Sequence, residues 1–255
     1  MLRIDFLNSL RQAELDLVVG ELPAPATILE FGAGTGIQAR ELANRGYRVK
    51  AIDLPASGYS DARVYDVQDY DGRSIPLPDA SVDVVFSSNV LEHVEDLPTT
   101  FAEFRRILAP GGYCVHLMPS VSWRAWTFAA GIPESVAAMF RLLAWTVRPP
   151  AGTSRAAAAR RNLKTALGSL LPIGHGTSFE GISELWTFSS AAWKREFERN
   201  GFTVERCRPV GIFHTGHMLL GPSIPIASRQ SLSSLFGSAA TVYVVRPSES
   251  ARSEH

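Results

Sequence analysis

The chain has 255 residues, 45% hydrophobic and 20% charged, enough for one large domain, or one domain with a sizeable insertion, around a substantial core. Its 25 Lys and Arg balance 25 Asp and Glu to a net charge of +0, which excludes a global field drawing it to nucleic acid or an acidic surface and leaves a local basic patch open. Two cysteines, Cys114 and Cys207, sit in separate apolar, strand-like runs with no C-x-x-C or Cys/His cluster, so reduced core thiols are expected, with no disulfide and no metal pair.

Charge at Arg3 and Asp5 breaks the N-terminal stretch too soon for a secretory segment, and no apolar run reaches the roughly 18 residues of a membrane span. A cytoplasmic chain is expected. The lead-in from Asn8 to Val19 is weakly helical, ends before Pro23 and Pro25, and is positioned to cover a ligand.

Ile28-Leu29-Glu30-Phe31-Gly32-Ala33-Gly34-Thr35-Gly36 then reads as a strand and a tight turn, followed by a helix from Ile37 to about Arg45 that stops at Gly46. Glycines at alternate positions imply a ligand pressed close to the backbone. A dinucleotide fingerprint would need its third glycine where Ile37 stands. The second strand, Arg48 to Asp53, ends in a carboxylate about 20 residues past the glycines, where a doubly wound sheet sets an acid against ribose hydroxyls. Ionised Asp is acceptor-only and takes both hydroxyls of a vicinal diol. A short third strand is expected over Ala62 to Val67, ending in Asp66; Asp69 and Asp71 in the same loop leave its register open. Ile75 to Ser81 is a turn-rich connector, and Val82 to Asn89 is a fourth strand running into Val90-Leu91-Glu92-His93-Val94.

The run Glu30-x-Gly32-x-Gly34-x-Gly36 resembles motif I of the class I S-adenosylmethionine-dependent methyltransferases. Ile75 to Val94 is similar to the same family's I-P-F-P-D-x-S-F-D-x-V…L-E-H-V signature, with Val82 in place of the usual Phe, and Leu108 to Val115 to its L-x-P-G-G-x-h-x-h form. The resemblance implies an α/β fold, a seven-stranded Rossmann-like doubly wound sheet with the last strand antiparallel and a helical cap insertion, and S-adenosylmethionine as cofactor. It implies that Glu30 meets the cofactor's amino end, that Gly32, Ala33, Gly34 and Gly36 let the backbone pass it, and that Asp53 and Leu54 hold the ribose. Asp66 would accept from the adenine amine with the Val67 N–H at the ring, and Ser88 and Asn89 would meet the methionine end. The histidine at His93 recurs in this family across different substrates, which favours a structural or cofactor-side role.

A helix from Leu97 to Leu108 packs Phe101, Phe104 and Ile107 on the sheet, Pro110-Gly111-Gly112 ends it, and Tyr113 to Pro119 is a fifth strand in which His116 either faces a ligand or packs. Beyond Pro119 the family pattern is interrupted, and substrate choice is expected there. A helix from Pro133 to Val147 is apolar nearly all round, making either an insertion core or a lipid-facing surface for which Arg141, Arg148, Arg155, Arg160, Arg161 and Lys164 would supply headgroup contacts. After a linker at 149–155 and a basic helix from Ala156 to Leu171, the glycine-rich stretch from Pro172 to Trp186 carries His175, Glu180 and Glu184. It reads as a substrate lid with a general base, or as an ordinary surface loop.

A capped amphipathic helix follows Ser189, and strands run from Phe202 to Cys207 and from Ala240 to Val245. The Gly-, Pro- and Ser-rich loop between them, Pro209 to Ser238, holds His214 and His217, three apart with no third ligand, so pocket lining is expected and no metal site.

The expected organisation is a cofactor-binding core at 1–118, a cap at 119–188, the rest of the core at 189–246 and a disordered tail at 247–255. The expected function is methyl transfer to a small-molecule, sugar, glycan or lipid-linked acceptor, most simply on oxygen, with His175 and then His214 as candidate bases. The cap is a candidate for peripheral membrane contact. Two alternatives stand beside it: a catalytically silent binding module of the same fold, and an NAD(P)-dependent oxidoreductase.

Overall fold

The structure is a computed structural model that describes residues 4–55, 57–130, 184–216 and 221–249, with positions 140, 156 and 160 between them. The expected cap helices and the glycine-rich stretch with His175, Glu180 and the titratable end of Glu184 lie outside the described residues, as does His217.

Helix α1 (Ile4–Val18) precedes β1 (Thr27–Phe31), α2 (Ile37–Asn44), β2 (Arg48–Asp53), β3 (Gln68–Asp69), β4 (Val82–Ser88), α3 (Leu97–Ile107) and β5 (Leu108–Pro119). A helix α4 then covers 121–130. After the turn Glu184–Thr187 come α5 (Ser190–Arg199), β6 (Phe202–Pro209), α6 (Ile226–Phe236) and β7 (Ala240–Pro247). The strands form a seven-stranded sheet in the order β3-β2-β1-β4-β5-β7-β6. All neighbours are parallel except β7, which is antiparallel to both β5 and β6. Strand order reverses between β1 and β4, so the crevice beyond their carboxyl ends is the natural ligand position of an open α/β sheet.

Both faces of the sheet are covered, which is why β1 and β4 read as continuous apolar runs with no alternation. On one face Phe101 and Phe104 of α3 meet Phe31, Phe197 and Phe202; on the other, Leu15 and Val18 of α1 and Leu42 of α2 cover Ile28, Val84 and Phe86. His116 belongs to the first layer. Its ring stacks on Phe104 at 5.7 Å and Phe197 at 5.6 Å, its Nδ1 lies 2.8 Å from Ser87 Oγ, and burial pushes its pKa down to about 3. It is a neutral core group, not a ligand contact. Cys114 and Cys207 are both free thiols. The turn-rich connector is pinned by Arg106, whose guanidinium donates to the carbonyls of Ile75 and Leu77 and to Asp79.

Three expectations are corrected. The third strand is Gln68–Asp69, not Ala62 to Val67: the Val64 N–H donates to the Thr35 carbonyl at 2.8 Å, and Val67 packs with Ala33, Ala39 and Ala51. That segment is drawn over the glycine turn, and pairing with β2 begins at Ile52↔Gln68. The β6–β7 connection contains α6, a serine-rich helix held by tertiary contacts. The buried Arg229 guanidinium donates to the Phe213 and Ile224 carbonyls, and Phe236 packs on Trp126 and Phe213. Finally, Pro247, assigned to the tail, pairs with Phe202, and the Ser248 N–H donates to the Gly201 carbonyl.

Phe101 is fully buried at the meeting of α3, α5 and β6. Phe101→Ala is expected to lower stability by about 3–5 kcal/mol, read as a reduced midpoint in denaturant unfolding with an unchanged slope.

Candidate active site

The crevice is a cleft of about 1010 Å³ at the carboxyl ends of β1, β2 and β4. Its base is the glycine turn. Gly32, Gly34 and Gly36 all have positive φ, at 73°, 55° and 72°, but they serve different ends. A Cβ on Gly32 would lie 2.5 Å from Val90 Cγ1, so this glycine lets the turn pass under the exit of β4. A Cβ on Gly36 would strike Tyr65 and Val67 at 2.8 and 3.0 Å, away from the cleft. Gly34 has open cleft above it, with the Tyr59 ring its nearest neighbour at 3.5 Å.

Four of the turn's amides donate within the protein. Gly32 and Ala33 N–H both donate to the Ile52 carbonyl, Gly36 N–H to that of Ala33, and Gly34 N–H to Asp53 Oδ2 at 2.8 Å. Asp53 Oδ1 accepts from the Leu54 N–H, also at 2.8 Å. Both carboxylate oxygens are thereby oriented by the backbone, and the side chain still lines the cleft with acceptor capacity left over. This arrangement suits a ligand offering two hydroxyls and lacks the free amide array that a pyrophosphate requires.

Ala33, Leu54, Ser88 and Asn89 line the cleft as expected. Leu54 and Tyr59 are part-exposed apolar walls, and Asn89 holds a left-handed φ of 56° that turns the chain out of β4. Four expected positions do not line it. Gly36 and Val67 pack beneath the turn, and Asp66 is exposed elsewhere. Glu30 is 2% exposed on the α2 side of β1. Burial, opposed by the Ala39 amide and reinforced by the Asp53 charge, pushes its pKa up to about 8.

The acid that does reach the cleft past β3 is Asp71, with Tyr70 and Gly72 beside it. Its Oδ1 accepts from the amides of Arg73 and Ser74 at 2.8 Å. Asp71 stands in the same loop as Asp66, whose register the sequence left open.

Helix α1 forms the roof through Leu7, Asn8 and Arg11. Thr35 Oγ1 lies 3.3 Å from Asn8 Oδ1, and Gln38 Nε2 donates to the Arg11 carbonyl at 3.1 Å, tying α1 to the turn and to α2. Behind the roof Glu14 is fully buried. Its Oε2 is 2.7 Å from Arg11 Nη1 and its Oε1 3.5 Å from His214 Nε2. Burial alone would raise the Glu14 pKa, but the Arg11 charge and the His214 hydrogen bond outweigh it and hold the carboxyl at about 2.

The far wall comprises Trp123, Arg124, Thr127 and Phe128 of α4, with His214 and Gly216. Trp126 Nε1 donates to the Phe236 carbonyl at 2.9 Å and the Gly216 N–H to Thr127 Oγ1 at 2.7 Å, so the first cap helix is joined to the β6–β7 connection. His214 is 7% exposed, and its Nδ1 makes no hydrogen bond. His93 lines the cleft near the exit of β4, and burial lowers its pKa. Among the described residues no cluster of three or more His, Cys, Asp or Glu is placed to hold a metal ion, and no helix is long and apolar enough to cross a membrane.

A family model described as a methyltransferase domain matches residues 5–206. The malonyl-[acyl-carrier protein] O-methyltransferase of Serratia marcescens is 39% identical over 89 residues, 33% of this chain and 35% of that protein. The enzyme of the same name from Xylella fastidiosa is 39% identical over 101 residues, 34% of this chain and 33% of its own length. The aligned stretch thus spans about a third of these curated relatives. An S-adenosylmethionine-dependent methyltransferase structure from Mesorhizobium loti superposes with a TM-score of 0.53, covering 92% of this chain and 97% of that one at 20% identity, a likeness of fold.

Gly32→Ala meets both the left-handed φ and Val90, and is expected to cost about 2 kcal/mol or more by thermal unfolding. Gly46→Ala, with a φ of 91° but open space, should lose only the conformational part, about 1–2 kcal/mol. Equal losses would remove the steric role of Val90.

Proposed function

We propose, because the chain belongs to the methyltransferase-domain family, that it is a class I enzyme transferring the methyl group of S-adenosylmethionine to an oxygen of a small-molecule, glycan or lipid-linked acceptor. The observation that carries this reading is the Asp53 carboxylate, held by the Gly34 and Leu54 amides over a turn whose four Gly32, Ala33, Gly34 and Gly36 amides donate within the protein. A nucleoside with a free vicinal diol and no pyrophosphate fits that pattern. Asp53 would take the ribose hydroxyls, Leu54 and Tyr59 would flank the base beside Asp71, and the backbone of Gly32 to Gly34 would run along the rest of the ligand to Ser88 and Asn89.

When bound, the cofactor supplies a methyl group already activated on a sulfonium, so the protein's work is to orient the acceptor, exclude water and manage a proton. The wall of Trp123, Thr127 and Phe128 offers an apolar, water-poor bed with a hydroxyl for orientation. A hydroxyl acceptor must lose its proton, and His214 is the base this cleft supports. With Nε2 3.5 Å from Glu14 Oε1, the imidazole would keep its proton there and leave the lone pair on Nδ1, a buried atom without a hydrogen-bond partner that the acceptor hydroxyl would have to reach. The relatives named O-methyltransferases support oxygen as the acceptor atom. Their malonyl-[acyl-carrier protein] acceptor does not carry over, because alignments of 89 and 101 residues are shorter than the stretch of chain from Gly32 to His214.

Calorimetric titration with S-adenosylmethionine tests the cofactor. Binding is expected, weakened on the order of tenfold or more by Asp53→Asn through loss of charge-assisted hydrogen bonds. A nicotinamide dinucleotide binding more tightly than S-adenosylmethionine would overturn the reading.

For the base, His214→Gln is expected to lower turnover of a hydroxyl acceptor about 100-fold while leaving cofactor affinity within about twofold. Unchanged turnover removes His214 from the chemistry.

A further inference from the structure

Glu14 and His214 stand 200 residues apart in the chain and meet behind the roof of the cleft, with His214 Nε2 3.5 Å from Glu14 Oε1. This is a long hydrogen bond, but it joins two anchored stretches of backbone. The Phe213 N–H donates to the Arg229 carbonyl at 3.0 Å and the Gly216 N–H to Thr127 Oγ1 at 2.7 Å, which fixes the chain on either side of His214. Helix α1 is held in turn by Gln38 Nε2, which donates to the Arg11 carbonyl at 3.1 Å. The two side chains are 9% and 1% exposed, so water has little access to the contact.

The donors and acceptors of this cluster admit one placement of protons. Arg11 is donor-only and meets Glu14 Oε2 through Nη1 at 2.7 Å. Burial works against a charged Glu14, and the Arg11 charge with the His214 hydrogen bond outweighs it. An ionised carboxylate is acceptor-only, so the ring nitrogen facing Oε1 must carry a proton. In the neutral imidazole the lone pair then falls on Nδ1, which has no hydrogen-bond partner among the described residues.

We infer that Glu14 is the positioning residue of His214, fixing its Nε2–H tautomer, and that Arg11 fixes Glu14, so that the three form one proton-ordering chain from α1 to the β6–β7 connection. The inference deepens the reading of His214 as base and rests on it for its consequence in methyl transfer. As the acceptor oxygen takes the methyl group, leaving S-adenosylhomocysteine, the hydroxyl proton passes to Nδ1 and the ring becomes cationic. Glu14 stabilises that charge from behind without touching the reacting atoms.

The test is nitrogen NMR of the full chain carrying ring-labelled histidine, recorded where the imidazole is neutral, with His214 assigned by the loss of its signals in His214→Gln. Wild-type protein is expected to show a pyrrole-type Nε2 and a pyridine-type Nδ1. Glu14→Gln should invert the pair. Glutamine has one acceptor oxygen, Arg11 claims it, and the amide NH2 is turned to His214, so that Nε2 must accept and the proton moves to Nδ1. Adding Arg11→Met removes that claim, lets the amide turn its oxygen to His214 and should return the proton to Nε2. A residue that only fills space gives neither the inversion nor the return.

An Nδ1–H ring in the wild type overturns the inference without any variant, as does an Nε2–H ring retained in folded Glu14→Gln. An Nδ1–H ring that persists after Arg11→Met is added overturns the part assigned to Arg11. If Glu14→Gln does not fold, the wild-type Nε2 proton decides: a downfield resonance protected from exchange with solvent supports the contact, and a freely exchanging one overturns it. Unchanged turnover in His214→Gln would remove the base and leave the nitrogen pattern standing, so failure of that reading and failure of the Glu14 role are read separately.

Discussion

The site depends on one carboxylate. Asp53 sits where β2 ends, and its two oxygens accept from amides on either side of the crevice, Gly34 in the turn after β1 and Leu54 in its own strand's exit. Charge-assisted bonds of this kind contribute about 1.5–3 kcal/mol each, enough to hold a turn of left-handed residues in one conformation. The same bonds present the remaining lone pairs of Asp53 to the cleft. Structure and recognition are therefore one interaction: the group that shapes the turn is the group the ligand would meet. Gly32 and Gly36 complete the turn from opposite sides, one yielding to Val90 and the other to Tyr65 and Val67.

Three buried carboxyls around this crevice meet different fates, and the difference lies in their partners. Glu14 is ionised because Arg11 and His214 outweigh the cost of burial. Glu30 and Glu92 are pushed up to about 8 because burial outweighs what opposes it, the Ala39 amide at Glu30 and the backbone and Arg11 at Glu92, so both are neutral over most of the ordinary pH range. The consequence is that these buried acids place negative charge at Glu14 alone, while Asp53, Asp71, Glu95 and Asp96 bring carboxylates to the cleft lining. Glu14 acts from behind the roof, and Asp53 and Asp71 act from the floor. In the proposed reading, β1, β2, β4 and α1 would build the cofactor side, and α4 with the β6–β7 connection the acceptor side.

The two sides were unequally readable. The cofactor side is local: Glu30 to Gly36, Asp53 and Ser88-Asn89 lie at strand ends, where backbone geometry follows from a few neighbouring residues. Even there one register failed. Ala62 to Val67 looks like a strand because its residues suit one, but Val64 donates to Thr35 and Val67 fills a layer of small alanines from three separate elements. Those partners are distant in sequence, and the acid that lines the cleft is Asp71, not Asp66. Helix α6 escaped for a similar reason. Its glycine-, proline- and serine-rich surroundings suggest a loop, and its stability comes from Arg229, Trp126 and Phe213. Glu14, buried beneath α1, gave no local sign at all.

The sequence by itself determined the fold class, the strand that ends in Asp53 and the exclusion of a dinucleotide fingerprint at Ile37, because each rests on periodicity or on backbone demands within a few residues. Only the tertiary structure decided which side chains share the cleft. Arg11, Asp71 and His214 come from the first helix, a loop after an edge strand and the connection before the last strand, and what joins them is packing across the sheet. A carboxylate at a strand end announces itself in one dimension. A guanidinium braced by Glu14 over a turn that begins some twenty residues further along the chain becomes visible once α1 has folded back across that turn.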